Sequence, residues 1–506
     1  MKNRVLLIRP SNVYNYNNYP PFNLILLASA LKKDGFVPEI INSAFEHNID
    51  RVLKEKLPDA LFVALTLLTP EIPDALRIMQ CIRNLSPVPV VVGGWHCTLF
   101  ADQMARSALV DYVITGEGEE HIVALARSLQ AGQTPKNKIF EKKILDLNSL
   151  PEPDYSLEPA IERFVSSYLT DTLSRYVKHP IRWLPYESSR GCPSECTFCI
   201  NVVTGNTKYR KKDAVKVVAE VEHIVSRYDL THVKFIDDNF FVDIRRVRDI
   251  CREIIERGIA VTWDAECRCD YFNDRLLNDE TLALAKKAGL VQLTLGIESG
   301  SAHTLALMMK HITPQQAEYA VKKCNEHGII ARSSFMLEVP GETEQDIIST
   351  IRFVNKMRRY PYFSAGVGTF RPYPKCELTQ SLIREGYLQE PKELEEWVSQ
   401  DIINMYTAAE YIRPWQVDGR YSVAAAYYLN MESSTRLGNH QIDRFSDRVK
   451  NSLFVAIAAI RNRLMFYRFP VDMELYKTFV TDFYKNKGTS DRQECYPLSR
   501  TDETLD

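Results

Sequence analysis

The chain has 506 residues, 45% hydrophobic and 25% charged, an ordinary globular composition with room for about two to four domains. A formal net charge of −2 without a basic block argues against nucleic-acid binding. Neither a signal-peptide core after Met1-Lys2-Asn3-Arg4 nor an apolar run of bilayer length is present, so the 11 cysteines are expected in a reducing cytoplasm, where metal binding or catalysis is commoner than disulfides.

Residues 1–135 alternate strand and helix patterns. Residues 5–8, 39–41, 60–65, 88–92 and 112–114 read as apolar strands, with amphipathic helices at 22–33, 73–84 and 119–129. Strands joined by helical crossovers predict a doubly wound parallel sheet, whose ligands bind outside the carboxyl ends of the strands. Those ends fall at 9–21, 66–70, 93–98 and 116–119. The pair Gly93-Gly94 would let a ligand approach the backbone without a Cβ clash. A Gly-Gly after a strand fits a nucleotide-binding or empty domain equally well. Residues 136–180 read as a connector, rich in proline and turn formers at 146–155.

After a short apolar run at 183–186 come Cys192, Cys196 and Cys199, spaced C-x3-C-x2-C. Three thiolates in one loop can hold three irons of a [4Fe–4S] cube and leave the fourth open to a small chelating molecule. A structural zinc would want a second cysteine pair, and none follows nearby. Strand patterns recur at 233–236, 260–269, 292–297, 331–337 and 365–370. Helices are expected at 212–228, 245–257, 279–288, 314–327 and 343–357. With the strand before the cysteines this makes six βα units over 181–380, a partial barrel with its chemistry at the strand carboxyl ends. Alternation puts Asp264, Glu266 and Arg268 on one strand face, and Cys267 and Cys269 on the other as packing thiols. Residues 381–506 read as mostly helical, with helix-like stretches at 393–406 and 443–467 and many aromatic residues. They are expected to cap the barrel or shape a substrate pocket.

The cysteine loop strongly resembles the signature of radical S-adenosylmethionine (SAM) enzymes. Asp237-Asp238-Asn239-Phe240, Trp263-x-Ala265-x-x-Arg268-x-Asp270 and Gly296-Ile297-Glu298-Ser299-Gly300 fit the same family. The first quarter of the chain resembles a cobalamin-binding domain in Thr66-Leu67-Leu68, Gly93-Gly94, Trp95-His96-x-Thr98 and Asp111-Tyr112-Val113-Ile114-x-Gly116-Glu117-Gly118-Glu119. The whole thus resembles the cobalamin-dependent radical SAM family, class B methyltransferase-like. The resemblance implies a Rossmann-like B12-binding domain, a (βα)6 TIM-type partial barrel and a helical C-terminal region.

It also implies a [4Fe–4S] cluster on Cys192, Cys196 and Cys199, and SAM contacts at Asp238, Arg268, Glu298 and Ser299. Cobalamin contacts are expected at Thr66, Leu68, Thr69, Gly93, Gly94, Trp95, Gly116, Glu117 and Gly118. No general acid or base is singled out. The loop 11–21 lacks the Asp-x-His-x-x-Gly of cobalamin mutases. Cobalamin is therefore expected base-off with no protein histidine, His96 and His121 being packing or helix-start residues and the Tyr/Asn-rich loop packing beneath the ring.

The implied reaction methylates an unactivated carbon, or a phosphorus, of a small-molecule or peptide substrate through a 5′-deoxyadenosyl radical and methylcobalamin. An external flavodoxin- or ferredoxin-type protein would supply electrons. A cyclase, rearrangement or oxidation without net methylation, and a polar methyl transfer, are alternatives. A methylthiotransferase would need three N-terminal cysteines where only Cys81 and Cys97 stand. Cys376 occupies a place where relatives show Gly-Thr before Glu-Leu; it is read as a small buried thiol, or else one facing the reaction centre. The strand ends of the two domains are expected to face one another.

Overall fold

The first sheet is built around strand β1 (Arg4–Arg9), in which Val5, Leu6, Leu7 and Ile8 are all fully buried. A strand covered on both faces reads as a continuous apolar run, and this one carries helices on each side. The computed structural model describes residues 2–476 apart from 13–18, 47, 167–172, 174–176, 179, 409–410 and 437–444. Helix α1 (Phe22–Lys33) leads to β2 (Val37–Asn42), and α2 (Ile49–Lys56) to β3 (Ala60–Thr66). Helix α3 (Ile72–Leu85) leads to β4 (Val90–Gly93), and α4 (Trp95–Leu99) and α5 (Ala101–Arg106) to β5 (Tyr112–Ile114). Helix α6 (Glu119–Gln130) then precedes β6 (Ile139–Phe140). The strands are parallel in the order β2-β1-β3-β4-β5-β6, so the chain changes direction between β1 and β3. Such a switch point opens a ligand crevice at the strand carboxyl ends.

The sheet has six strands rather than the expected five. Strand β6 lies in what the sequence suggests is connector, and its two residues are too few to carry an apolar period.

Helix α7 (Ile161–Val165) leads into the second unit. Strand β7 (Trp183–Tyr186) is followed by an antiparallel hairpin of β8 (Ser189–Arg190) and β9 (Arg210–Lys211), with the three-cysteine loop and α8 (Ile200–Val203) between its arms. The remaining units are α9 (Ala214–Tyr228), β10 (His232–Phe235), α10 (Ile244–Glu256), β11 (Thr262–Cys267) and α11 (Asp279–Lys287). They continue with β12 (Leu290–Glu298), α12 (Ala302–Leu307), α13 (Pro314–Glu326), β13 (Ile330–Leu337), α14 (Glu344–Met357) and β14 (Phe363–Thr369). The order β14-β13-β12-β11-β10-β7, with every pair parallel, is a six-unit partial barrel. Five of its helices start at side-chain caps: Asp243, Asn278, Ser301, Thr313 and Thr343 each accept a backbone N–H of the first turn, worth about 1 kcal/mol apiece.

Register sets the barrel interior. Glu266 pairs with Thr294 and Thr294 with Arg332, placing the three side by side on neighbouring strands. One layer nearer the carboxyl ends, Gly296, Ser334 and Gly366 adjoin. A Cβ built on Gly366 or Gly368 meets nothing within 4 Å, so β14 fronts open space. Cys267 and Cys269 lie on the opposite side, buried in the hydrophobic core.

The C-terminal region comprises α15 (Glu377–Arg384), α16 (Gln400–Thr407), α17 (Gly419–Arg436) and α18 (Phe445–Leu464). Asn430 on α17 donates its amide to Val367 O and accepts Val367 N–H, both at 2.7 Å, taking the place of a further strand on the free edge of β14. Glu338, buried at the end of β13, accepts from Val417 N–H at 2.7 Å and from the Ser422 hydroxyl at 2.6 Å and so holds the start of α17. The helix expected at 393–406 is divided into a 3-10 turn (Leu394–Val398) and α16, separated at Ser399. The mostly polar tail after Lys487 lies outside the described residues. No helix among the described residues is long and apolar enough to cross a membrane.

Candidate functional site

The three-cysteine loop is held from the end of β10, the end of α12 and the start of α15. Gly191 N–H and the Asn206 amide both donate to Asp238, which follows β10, at 2.8 and 2.9 Å. Thr197 donates through its backbone to Met308 O at 3.1 Å and through its hydroxyl to Leu307 O at 3.0 Å. Leu378 N–H reaches back to Thr197 O at 3.2 Å, and the Asn239 amide lies 3.6 Å from the Cys192 sulfur. Cys196 is buried, while Cys192 and Cys199 are half-buried at the mouth. Among the described residues no three His, Cys, Asp or Glu side chains gather round a single-ion position. A cubic cluster differs, because each thiolate takes a different iron, and three thiols on one braced loop fit it.

Beside the loop stands a buried ion pair: Lys310 Nζ lies 3.2 Å from Glu298 Oε1. Glu298 has a φ of 69°, and the register slips between Gly296 and Glu298, a bulge that turns its side chain along the strand end. Gly296 makes room for the pair: a Cβ there would come within 2.7 Å of Glu298 Oε1 and 2.8 Å of Lys310 Nζ. Burial works against the Lys310 charge, but Glu298 carries its pKa above the ordinary lysine value. Arg268 donates to Asp270 at 2.9 Å and to Lys310 O at 2.7 Å, and together with Lys310 acts on the Cys196 thiol. Ser299 is committed to a buried hydrogen bond with Thr350 at 2.8 Å.

Deeper in the barrel Asp264 is used up by His232 and Lys234, each at 2.9 Å. Glu266 is different. It is half-buried, faces the lumen, and has no hydrogen-bond or ion-pair partner among the described residues; burial pushes its pKa up to about 7. Cys376, fully buried at the start of α15, is pushed to about 12 by burial and by neighbouring Cys199, so its thiol stays protonated beside the cysteine loop.

At the strand ends of the first sheet, Gly94 has a φ of 96°, and a Cβ on it would lie 2.9 Å from both the N and O of Leu67. This contact packs the loops after β3 and β4 together, and His96 N–H donates to Leu67 O at 3.1 Å. Thr66 accepts from Asn23 at 2.6 Å. Leu68 and Trp95 stand out from this ledge, 40% and 46% exposed, apolar surface where a large flat ligand could rest. Gly116 N–H donates to the Thr98 hydroxyl at 2.9 Å, and Gly118 caps α6. The residues present therefore fit a corrin at these loops.

His96 lies inside the ledge rather than on it. It is buried against Phe100 and Trp397, its Nδ1 lies 3.2 Å from the Thr69 hydroxyl, and burial lowers it to about 3. His121 lies 2.9 Å from Glu141 O. Residues 13–18 of the first loop lie outside the described residues; Tyr19, at its end, packs edge-on against Trp183.

The two units meet at these loops. Arg190, two positions before Cys192, lies 2.6 Å from Glu119 and 3.2 Å from Glu117 of the first unit. On the far side Trp397 joins the core of the first sheet and donates to Gln103 at 3.0 Å, while the Lys375 ammonium sits 4.8 Å from the Phe100 ring centre. Sequence reasoning missed Arg190, Arg210, Lys310 and Glu338. The only local hint was the position of Arg190 beside Gly191-Cys192.

Two family models match the chain: a B12 binding domain over residues 13–126 and the radical SAM superfamily over residues 186–354. The chain is 28% identical over 389 residues to an uncharacterized methyltransferase of Pyrococcus horikoshii, covering 73% of this chain and 80% of that one. It is 27% identical over 404 residues to the anaerobic magnesium-protoporphyrin IX monomethyl ester cyclase of Rubrivivax gelatinosus, covering 75% and 70%. Its fold is similar to that of the radical SAM methyltransferase TsrM of Kitasatospora setae, solved with tryptophan and a SAM analogue. That match has a TM-score of 0.64 at 18% identity over 92% of this chain and 98% of that one. With both models in domain order and the cysteine loop at the barrel mouth, the chain belongs to the radical SAM superfamily, among the members that carry a B12-binding domain ahead of the radical SAM domain.

Proposed function

We propose that the chain is a cobalamin-dependent radical SAM methyltransferase. Its reading is methylation of an unactivated carbon or phosphorus centre of a small-molecule or peptide substrate, with a flavodoxin- or ferredoxin-type donor in the reducing cytoplasm. The observation that carries it is the abutment of the two strand-end faces through Arg190 and Glu117–Glu119, beside the cysteine loop. When bound, the cluster with SAM supplies a 5′-deoxyadenosyl radical and methylcobalamin supplies the methyl group.

The chain's own part is to bind, orient and exclude water. Cys192, Cys196 and Cys199 would hold the cluster. Glu266, with its unused carboxylate, suits the SAM ammonium, and Lys310 and Arg268 suit its carboxylate by charge-assisted hydrogen bonds. Glu298 suits the ribose hydroxyls. Asp238 and Ser299 contribute by bracing the loops they already bond. Thr66, Leu68, Thr69, Gly93, Gly94, Trp95, Gly116 and Gly118 would cradle cobalamin base-off. The burial of His96 supports a cobalt without a protein imidazole. The open space before Gly366 and Gly368 is where substrate has room.

The cyclase relative favours a second reading, radical chemistry without net methylation. Anaerobic incubation of the reduced holoenzyme with SAM and deuterium-labelled candidate substrates, followed by mass spectrometry, separates the readings. Methylation adds one methylene to the product and passes label to 5′-deoxyadenosine. A cyclase leaves the carbon count unchanged. S-adenosylhomocysteine and methylated product without 5′-deoxyadenosine mean polar transfer.

A further inference from the structure

Five charged side chains gather where the two units meet, Arg190 and Glu119 buried and Glu117, Glu187 and Arg210 half-buried. Arg190 donates from Nη2 to Glu119 at 2.6 Å and from Nε to Glu187 at 2.7 Å, and its Nη1 lies 3.2 Å from Glu117. Arg210, on the other arm of the hairpin, donates to Glu117 at 2.9 Å and to Leu145 O at 3.1 Å. Arg190 is 8% and Glu119 5% exposed. Burial would lower the Arg190 pKa, but Glu187 and Glu119 together carry it well above the ordinary value; burial likewise opposes ionisation of Glu117, and Arg210 and Arg190 overcome it.

The cluster is continuous with both candidate cofactor loops. On one side Gly116 N–H is bound to the Thr98 hydroxyl, which donates to Gly94 O at 2.9 Å. On the other, Arg210 reaches Asn206 at 3.4 Å, and Asn206 O accepts Cys192 N–H at 3.1 Å. A few hydrogen bonds thus link the Gly-Gly loop after β4 to the first cysteine.

Buried ion clusters are a poor way to gain adhesion, because desolvation offsets most of the Coulomb attraction and an apolar contact would serve as well. What a planar guanidinium fork between three carboxylates provides is a single geometry. We propose that Arg190 is a positioning residue, one that sets the separation of cobalt and cluster by locking the Glu117 loop to the cysteine loop. The inference rests on the reading that both cofactors bind, and it assigns Glu117 to this lock instead of to cobalamin. Methyl transfer needs near-contact of the reacting atoms, so a displacement of about 1 Å costs rate while both cofactors stay bound.

The test uses holoenzyme reduced with dithionite, in which cob(II)alamin and the reduced cluster are both paramagnetic, and pulsed dipolar EPR between them. Arg190→Lys and Glu117→Gln are chosen as conservative variants that keep a side chain of similar reach. The exposed pair Arg257–Glu222 supplies a control variant, Arg257→Gln. The wild type and the control are expected to give one narrow distance. The two lock variants are expected to give a shifted or broadened one with cluster absorbance and bound cobalamin unchanged, and S-adenosylhomocysteine formation slower by roughly tenfold or more. Unchanged distance and rate in both variants overturn the proposal. Loss of cobalamin from Glu117→Gln overturns it too, by making Glu117 a cobalamin contact. A wild type without a cobalt signal overturns the cobalamin reading itself, and the lock with it.

Discussion

Lys310 and Glu298 form a buried ion pair whose ammonium lies close enough to the cysteine loop to act on Cys196. Lys310 sits between Met309 and His311, both with positive φ (47° and 54°), so a strained turn presents it. Lys310→Met leaves the Glu298 carboxylate buried and unpaired, expected to cost about 3–5 kcal/mol in unfolding experiments. The double variant Lys310→Met/Glu298→Gln removes both charges and should recover most of that stability. SAM affinity, measured by calorimetry on the reconstituted protein, should stay at least roughly tenfold weaker in both, since a charge-assisted contact is lost in each. Recovery of affinity together with stability would mean that the pair only holds the turn.

Glu266 gives SAM binding a pH dependence of predictable sign. Its pKa is raised to about 7, chiefly by burial; Lys234 and Arg332 pull it down, while Asp264 and Glu298 push it up. The carboxylate that would meet the SAM ammonium is therefore the minority form below neutrality. Affinity should tighten by roughly five- to tenfold between about pH 6 and pH 7.5. Glu266→Gln should bind weakly and without that slope. A wild type whose affinity is level over this window would remove Glu266 from the SAM site.

The cluster assignment is tested by replacing Cys192, Cys196 and Cys199 together with alanine. After anaerobic reconstitution the wild type should carry about four irons and show absorbance near about 400 nm, and the triple variant should show neither. Cys376→Ser is the informative companion. Its thiol is protonated and buried behind the loop, so iron content should stay at the wild-type level.

Elements with a clear apolar period were legible in the sequence. The bounds of α1 and β5 coincide with the patterns at 22–33 and 112–114, because a strand or helix packed against a sheet writes its period locally. The cysteine loop was conspicuous for a different reason: its three thiols stand within eight residues of one another. What was not legible lies far apart in the chain. Glu119 and Arg190 are 71 positions apart, and Gln103 and Trp397 are 294 apart. Glu117 carried a motif's reading that gave no sign of the two arginines it meets in space. Lys310 has no glycine or proline around it to announce the turn that aims it. The break at Ser399 that divides the expected helix at 393–406 follows from Trp397 and Leu394 being drawn into the core of the first sheet, a demand made by another domain.

His96 and Trp397 allow the lower axial environment of cobalt to be tested without ambiguity. His96 is the histidine nearest the Gly-Gly loop, yet Phe100 and Trp397 enclose its ring at 4.9 and 5.0 Å between centroids, and burial keeps it neutral. A neutral imidazole is what a cobalt ligand requires, so chemistry alone does not disqualify it; access does. His96→Ala should leave the EPR spectrum of the cob(II)alamin form unchanged and free of nitrogen splitting from an axial imidazole. Trp397→Ala takes away one wall of the cage and the hydrogen bond to Gln103, and by cavity formation should cost about 3–5 kcal/mol, seen as a lower unfolding midpoint. If nitrogen splitting emerges in Trp397→Ala and vanishes in the His96→Ala/Trp397→Ala double variant, the tryptophan is what keeps His96 from cobalt. Splitting in the wild type that His96→Ala abolishes would instead make His96 the ligand, and the enclosed geometry would then have to open when cobalamin binds.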